Sequence, residues 1–443
     1  MRPRLHSSTR RRRRAGVLLA LSGLAAGALT ACGGSGTSST SGTPTLNWYI
    51  NPNSSGSLQQ IADHCVQQAK GAYKININVL PSTADGQREQ IVRRLAAGDT
   101  SMDVIMIDPP YMPEAANAGW LLAFTEEQKA ELLKDVFPTT VPSATWHGKL
   151  YGAPMIANTQ LLWYKKSVAQ KAGVDPTSPT FTWDQMIDAA VKTGTTVEEQ
   201  GKRYEGYMVW VNAMVLGAGG TILDKTDLGR DAVVASGSPA AQRAVQVIHK
   251  LATSPAADPS LSTADEEIGR HAFQTAKGGF LLNWPYVYAA MQADVKAGSL
   301  SKAVFDDVGW APYPRVDADK PAKPPLGGIN VGISTYSTHK QQAYDFVKCL
   351  VSPESEKIQL LVNGDPEANS TVYDDPEVKK AIPMADLVKA SIANAGPRPV
   401  SPFYGDVSGS IQRVWHEPSQ VGVGTAAASA ALISSVLHDQ ALL

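Results

Sequence analysis

The sequence predicts an α/β protein folded as two lobes, and three observations carry that expectation. Strand-like and helix-like segments alternate at the start of the globular part. About four hundred residues remain beyond an N-terminal leader, enough for two domains. Of the 3 cysteines, Cys65 and Cys349 stand far apart in the chain. A bond between them would bring a late helix back to an early one.

The elements follow in order. Residues 46–50 (LNWYI) read as a short strand. Residues 57–71 read as a helix with Ile61, Cys65 and Val66 on one side. Residues 73–80 alternate as a strand does, with Ile75, Ile77 and Val79 apolar, and 86–97 are again helical. Residues 103–108 form a continuous apolar run flanked by aspartates, as in a strand buried on both faces. This order indicates a parallel sheet covered on both sides, in which ligands bind beyond the carboxyl ends of the strands. Asp108 stands at such an end, and Pro109 and Pro110 stop the strand. The middle, 181–292, is richer in helix, with amphipathic stretches at 183–190 and 240–251. Strands are expected at 280–283 and 328–334, and a helix carrying Cys349 at 341–350. There are no internal repeats.

The N-terminus has a separate character. Arg2, Arg4 and the run Arg10 to Arg14 precede a brief apolar stretch, 15–29, too short for a permanent membrane span. Leu29-Thr30-Ala31-Cys32 reads as a lipobox, at which bacteria cleave the leader and attach diacylglycerol to the cysteine. Residues 1–31 are therefore expected to be a lipoprotein signal peptide and 32–44 a flexible Gly/Ser/Thr tether. The arginine run leaves the twin-arginine export route open beside the general one. In the oxidising compartment this leader implies, Cys65 and Cys349 read as a disulfide, with two separate buried thiols as the alternative.

Composition narrows the function. Net charge is −1 with the basic leader included, so the exported part is acidic and offers no basic face for nucleic acid. The 8 histidines are scattered without metal-ligand spacing, and no Gly-x-Ser-x-Gly, His-Glu-x-x-His or phosphate loop occurs. No metal or cofactor is expected. The principal enzymatic alternative is an exported glycoside hydrolase, which needs two carboxylates across the scissile bond. Asp108 and Glu266 resemble such a pair but fall in different lobes, and nothing in the sequence raises the pKa of one of them.

An ordered series of segments resembles the extracellular solute-binding proteins of the maltose and trehalose type. The pieces are Tyr151-Gly-Ala-Pro154, Asn158-Thr-Gln-Leu-Leu-Trp-Tyr164, Gly219-Gly220, Asn283-Trp-Pro-Tyr286, Gly309-Trp-Ala-Pro-Tyr-Pro314, Gly327-Gly328 and Ala343-Tyr-Asp-Phe346. The segments at 158–164 and 283–285, with Arg398-Pro-Val-Ser-Pro402, resemble the actinobacterial trehalose-binding lipoproteins in particular. The resemblance implies a type II-like periplasmic-binding-protein fold with hinge strands between the lobes and a sugar held at their interface. Lobe 1 would be 45–154 plus 309–352, and lobe 2 would be 155–308 plus 353–443. Cys65 and Cys349 then share lobe 1. The implied partners are the permease subunits of an ABC importer, with the protein a monomer held to the cell membrane by lipid.

A sugar needs an aromatic face against its C–H groups and paired polar groups around its hydroxyls. Asp108 suits the acceptor role, the alternative being a turn aspartate before the prolines. Asn158 is expected as a ligand contact, the alternative being a hinge hydrogen bonder. Trp284 is the stacking candidate, against a core tryptophan. Glu266, at a helix start where acids are common, is placed at the ligand by the resemblance, in preference to Glu267. Arg398 sits rigidly between two prolines, Gly328 is expected to admit close backbone approach, and Tyr404 is expected to supply a second wall. The same fold holding another oligosaccharide or a polyamine is the remaining alternative.

Overall fold

The structure, a computed structural model, describes residues 42–53 and 55–443. The leader, Cys32 and nearly all of the tether lie outside them. Among the described residues no helix is long and apolar enough to cross a membrane.

The chain opens with β1 (Thr45–Ile50), α1 (Ser57–Gln68), β2 (Lys74–Val79), α2 (Ala84–Ala96) and β3 (Val104–Ile107), close to the expected bounds. Thr83 starts α2 by accepting a hydrogen bond from Gly86 N–H, and all four residues of β3 are buried. The strands β4 (Gly152–Thr159) and β5 (Leu161–Lys165) follow, then α3 (Trp183–Thr193), whose start is fixed by the reciprocal cap of Thr182 and Gln185. Next come β6 (Thr196–Glu198), α4 (Glu205–Gly217), α5 (Pro239–Thr253), α6 (Glu266–Gln274), β7 (Gly278–Asn283), β8 (Val308–Ala311) and β9 (Leu326–Ile333). The principal helices of the last part are α7 (Lys340–Leu350), α8 (Pro353–Asn363), α9 (Tyr404–Trp415) and α10 (Thr425–Leu437).

Two sheets result. The first has the order β2-β1-β3-β9-β4, with β1 parallel to β2 and β3. Strand β9 enters antiparallel to both β3 and β4, so the expected parallel sheet is the parallel half of a mixed one. The second sheet has the order β8-β5-β7-β6. Each lobe has its own aromatic packing: Trp48 and Tyr73 meet Phe346 edge-on at 5.4 and 5.8 Å, and Trp183 stacks on Trp210 at 6.0 Å.

Sheet membership moves the expected lobe boundaries. Strand β4 stays in the first sheet through Thr159, so the chain crosses at Gln160 rather than after 154. Strand β8 pairs with β5 in the second sheet, Gly309 opposite Tyr164, so the return comes with β9 rather than at 309. Helix α8, expected in lobe 2, packs on α1 in lobe 1, where Ser57 Oγ donates to Gln359 at 2.6 Å. A third crossing then runs beside β4: Ala157 N–H donates to Pro366 O at 3.0 Å, and Ala368 N–H donates to Met155 O at 2.8 Å. The two strand misplacements share a cause. Apolar β-runs look alike whichever sheet they join, because pairing partners are set by contacts distant in sequence.

The disulfide between Cys65 and Cys349 is present and ties α1 to α7 within lobe 1, closing a sequence separation of 284 residues. Such a long loop leaves the unfolded chain much less restricted once the bond is cut. Replacing both cysteines by serine is expected to cost about 2 to 5 kcal/mol in chemical denaturation. An unchanged midpoint would show that α1 and α7 hold each other by packing alone.

Candidate functional site

A cleft of about 470 Å³ opens between the two sheets, with both lobes lining it. The lobe 1 wall follows from the sheet: each of its three parallel strands delivers polar groups just beyond its carboxyl end. Asn51 follows β1, Ser82 and Thr83 follow β2, and Asp108 follows β3. Only Asp108 was expected from the sequence. The strand-end reasoning that selected it applies equally to Asn51 and Thr83.

From lobe 2 come Lys202, Tyr204, Glu205, Asp265, Glu266, Glu267, Trp284 and Arg398. Asn283, fully buried, organises much of this wall. Its side-chain amide donates to the Glu266 carbonyl at 2.9 Å and its Oδ1 accepts from Trp284 N–H at 2.8 Å. The end of β7 and the start of α6 are thereby clamped together, and Trp284 and Glu266 face one space. The Glu266 carboxylate accepts from Tyr204 Oη at 2.8 Å. Glu267 is engaged elsewhere, by Arg270 at 2.8 Å and by Tyr286 Oη at 2.5 Å.

The crossing strands form the floor. Asn158 lines it and accepts from Thr159 N–H at 2.9 Å. Gly328 also lines it, but its lack of a side chain serves the protein itself. Its φ is +126°, and a Cβ there would overlap the Ile156 carbonyl oxygen of the paired strand. At Gly327 a Cβ would lie 2.9 Å from the Trp284 ring. Asp365, from the third crossing, completes the floor.

Arg398 is held more tightly than its prolines alone require. Asn212 of α4 donates to the Pro397 carbonyl at 3.2 Å, fixing the loop. The guanidinium meets Asp108 of lobe 1 at 2.5 Å and Glu205 of lobe 2 at 2.6 Å, with its side chain 4% exposed. Removing one partner from such a pair strands a buried charge and costs about 3 to 5 kcal/mol. Tyr404 corrects the expectation of a second wall. It is fully buried and away from the cleft lining, and its hydroxyl donates to Glu205. As the first residue of α9, its ring packs inward with that helix's apolar face, against Tyr111 at 5.3 Å.

The cleft carboxyls shift in both directions: hydrogen bonds and cations hold Asp265 and Glu267 low against burial, and burial raises Asp365. Burial raises Asp108 and Glu205, with Arg398 opposing in both cases. Burial likewise raises Glu266, against the hydrogen bond from Tyr204. Behind Glu266, burial pushes Glu199 up to about 8, with Glu266 itself adding to the rise. Among the described residues no group of acids, histidines and cysteines has the arrangement of a metal site.

A two-lobed α/β protein with hinge strands and a polar, tryptophan-bearing interlobe cleft is a ligand-binding protein of the bacterial extracytoplasmic type. The comparisons make the assignment specific: the chain belongs to the family described as bacterial extracellular solute-binding protein, which it matches over residues 51–357. A probable ABC transporter-binding protein of Deinococcus radiodurans is 28% identical over 364 residues, covering 78% of this chain and 82% of the relative. Among solved structures, maltose-bound MalE3 of T. maritima is 26% identical with a TM-score of 0.78, covering 90% of this chain and 100% of that one. The GacH receptor of Streptomyces glaucescens, solved unliganded and with acarbose, superposes with a TM-score of 0.74 at 19% identity. It covers 90% of this chain and 98% of its own, and shares the fold. The family is one of binding proteins, so the cleft carries no assigned reaction.

Glu199 gives the site a testable pH signature. Its ordinary value is 4.5, and the folded protein keeps the proton up to about 8. Folding therefore takes up a proton between those values, and stability, full below the lower, falls as pH rises through the higher. The melting temperature is expected to decline across this window, and Glu199→Gln to make the decline shallower. An equal slope in the variant would show that Glu199 is ionised in the fold.

Proposed function

We propose that this chain captures a small neutral polyol, a sugar of about disaccharide size such as trehalose or maltose, and delivers it to an ABC importer. The observation that carries the reading is the convergence of the Trp284 ring with Asp108, Asn158 and Glu266 on one cleft. A ring face for C–H groups and carboxylate and amide groups for hydroxyls is the donor set a sugar requires. The cleft volume lies within the roughly 300–1,000 Å³ usual for small-molecule sites. The maltose bound to the T. maritima relative supports the sugar class. Trehalose rests on the resemblance at 158–164, 283–285 and 398–402.

The ligand bridges Asp108 on one lobe and Trp284 and Glu266 on the other only when the lobes are together. Its binding therefore shifts the population towards closure about the crossing segments. The closed protein is the form that docks on the permease, and Cys32 carries the lipid that keeps it at the membrane. One observation favours a second reading. Six carboxyls line the cleft, Asp108, Glu205, Asp265, Glu266, Glu267 and Asp365, against Lys202 and Arg398, which suits a cationic solute such as a polyamine.

Thermal melting of the purified chain against trehalose, maltose, longer maltodextrins, sucrose and spermidine decides between them, because a ligand of the folded form raises the melting point with concentration. A rise with a sugar alone is expected. A rise with spermidine alone would replace the sugar by the polyamine. Trp284→Ala should abolish the sugar-induced rise while leaving the unliganded melting point within about 3 °C. A large unliganded loss would make Trp284 a core residue. Cys32→Ser should move the protein from the membrane fraction of the producing cell to the soluble one, and persistence at the membrane would refute the lipid anchor.

A further inference from the structure

Helix α4 begins at Glu205, and its first turn is completed by the opposite lobe. No side chain of its own N-terminal segment caps it. Instead Asp85, on α2 of lobe 1, accepts from Glu205 N–H at 3.0 Å. An acidic acceptor at a helix N-terminus satisfies an otherwise orphaned donor and complements the helix dipole. Tyr111, also of lobe 1, places its hydroxyl 3.3 Å from both Asp85 and the Glu205 carboxylate. The Glu205 side chain is gripped from lobe 2 by Arg398 at 2.6 Å, by Ser408 at 2.6 Å and by Tyr404. One buried residue thus collects contacts from both lobes.

We propose that Glu205, capped across the interface by Asp85 and Tyr111, is the latch that stabilises the closed arrangement of the lobes and holds Arg398 in place beside the cleft. Separating the lobes strips α4 of its cap and Glu205 of its lobe 1 partners in one movement, which sets a cost on opening. Glu205 lines the cleft and also acts on it through Arg398, because one end of the guanidinium is fixed by Glu205 while the other meets Asp108, so the Asp85 and Tyr111 variants isolate the positioning effect. Asp85 is outside the cleft lining, so any effect of its removal on ligand affinity must pass through closure or through Arg398. The inference rests on the reading of the cleft as a ligand site in its affinity arm but not in its shape arm.

The test compares the wild-type chain with Asp85→Ala, Tyr111→Phe and Glu205→Gln, measuring the unliganded radius of gyration by small-angle scattering and the affinity for trehalose and maltose by calorimetry. Asp85→Ala and Tyr111→Phe are chosen because each leaves the Arg398 pairing intact, should the Glu205 variant fail to fold. If the latch operates, all folded variants are larger than wild type without sugar, and they bind about threefold to tenfold more weakly, since apparent affinity falls with the closure-competent fraction. A lower melting point with unchanged radius and unchanged affinity would reduce the cluster to ordinary core contacts and overturn the proposal. Should neither sugar bind the wild type, the sugar reading fails and the scattering alone decides: larger variants support the latch, and equal radii overturn it.

Discussion

The guanidinium of Arg398, buried between Asp108 and Glu205, is the interaction on which the arrangement of this protein turns. A buried arginine is tolerated only where its charge is met with good geometry, and here the two carboxylates come from opposite lobes. The strand end that supplies Asp108, the proline-flanked loop that carries Arg398 and the helix start that supplies Glu205 must therefore come to one place. The cleft is what remains beside that junction. Its polar wall on lobe 1 and its aromatic and acidic wall on lobe 2 are held in register by the same contacts that bring the lobes together.

The surplus of carboxyls shapes the chemistry of the cleft. Burial raises Asp108, Glu205 and Glu266, while Arg398 opposes the rise at the first two and the hydrogen bond from Tyr204 opposes it at the third. A carboxylate or phosphate on the ligand would meet six acids and two cations already paired within the protein, Lys202 with Asp265 and Arg398 with its two carboxylates. On the proposed reading, an anionic solute would be disfavoured there.

Much of this was legible in the sequence, and the limits have physical causes. The alternation through residues 45–108 is local and placed its strands and helices within a few residues. Asp108 was legible because proline stops its strand in sequence, and Trp284 because Asn283 and Pro285 flank it. Glu205 was not legible: it opens a largely apolar helix, and nothing nearby reveals that Asp85, Tyr111 and Arg398 converge on it. Tyr404 was misassigned for a related reason, since nothing in its local sequence shows that its helix turns the ring inward. The lobe boundaries slipped because Val308–Ala311 is equally suited to either sheet by composition, and only its pairing with β5 decides. Local pattern fixes elements; long-range pairing fixes partners.

Gly328 bears on how such a protein can diversify. Its backbone sits where the neighbouring strand's carbonyl leaves no room for a methyl group, and its φ excludes ordinary side chains independently. The middle of the cleft floor is consequently a position that mutation cannot explore without disturbing the pairing of β4 with β9, which also carries two of the crossings between lobes. A lineage adapting to a new solute would have to leave that part of the floor alone. The freedom to change ligand lies in the rim residues after β1 and β2 and at the start of α6, where a side chain can be exchanged without touching the hinge.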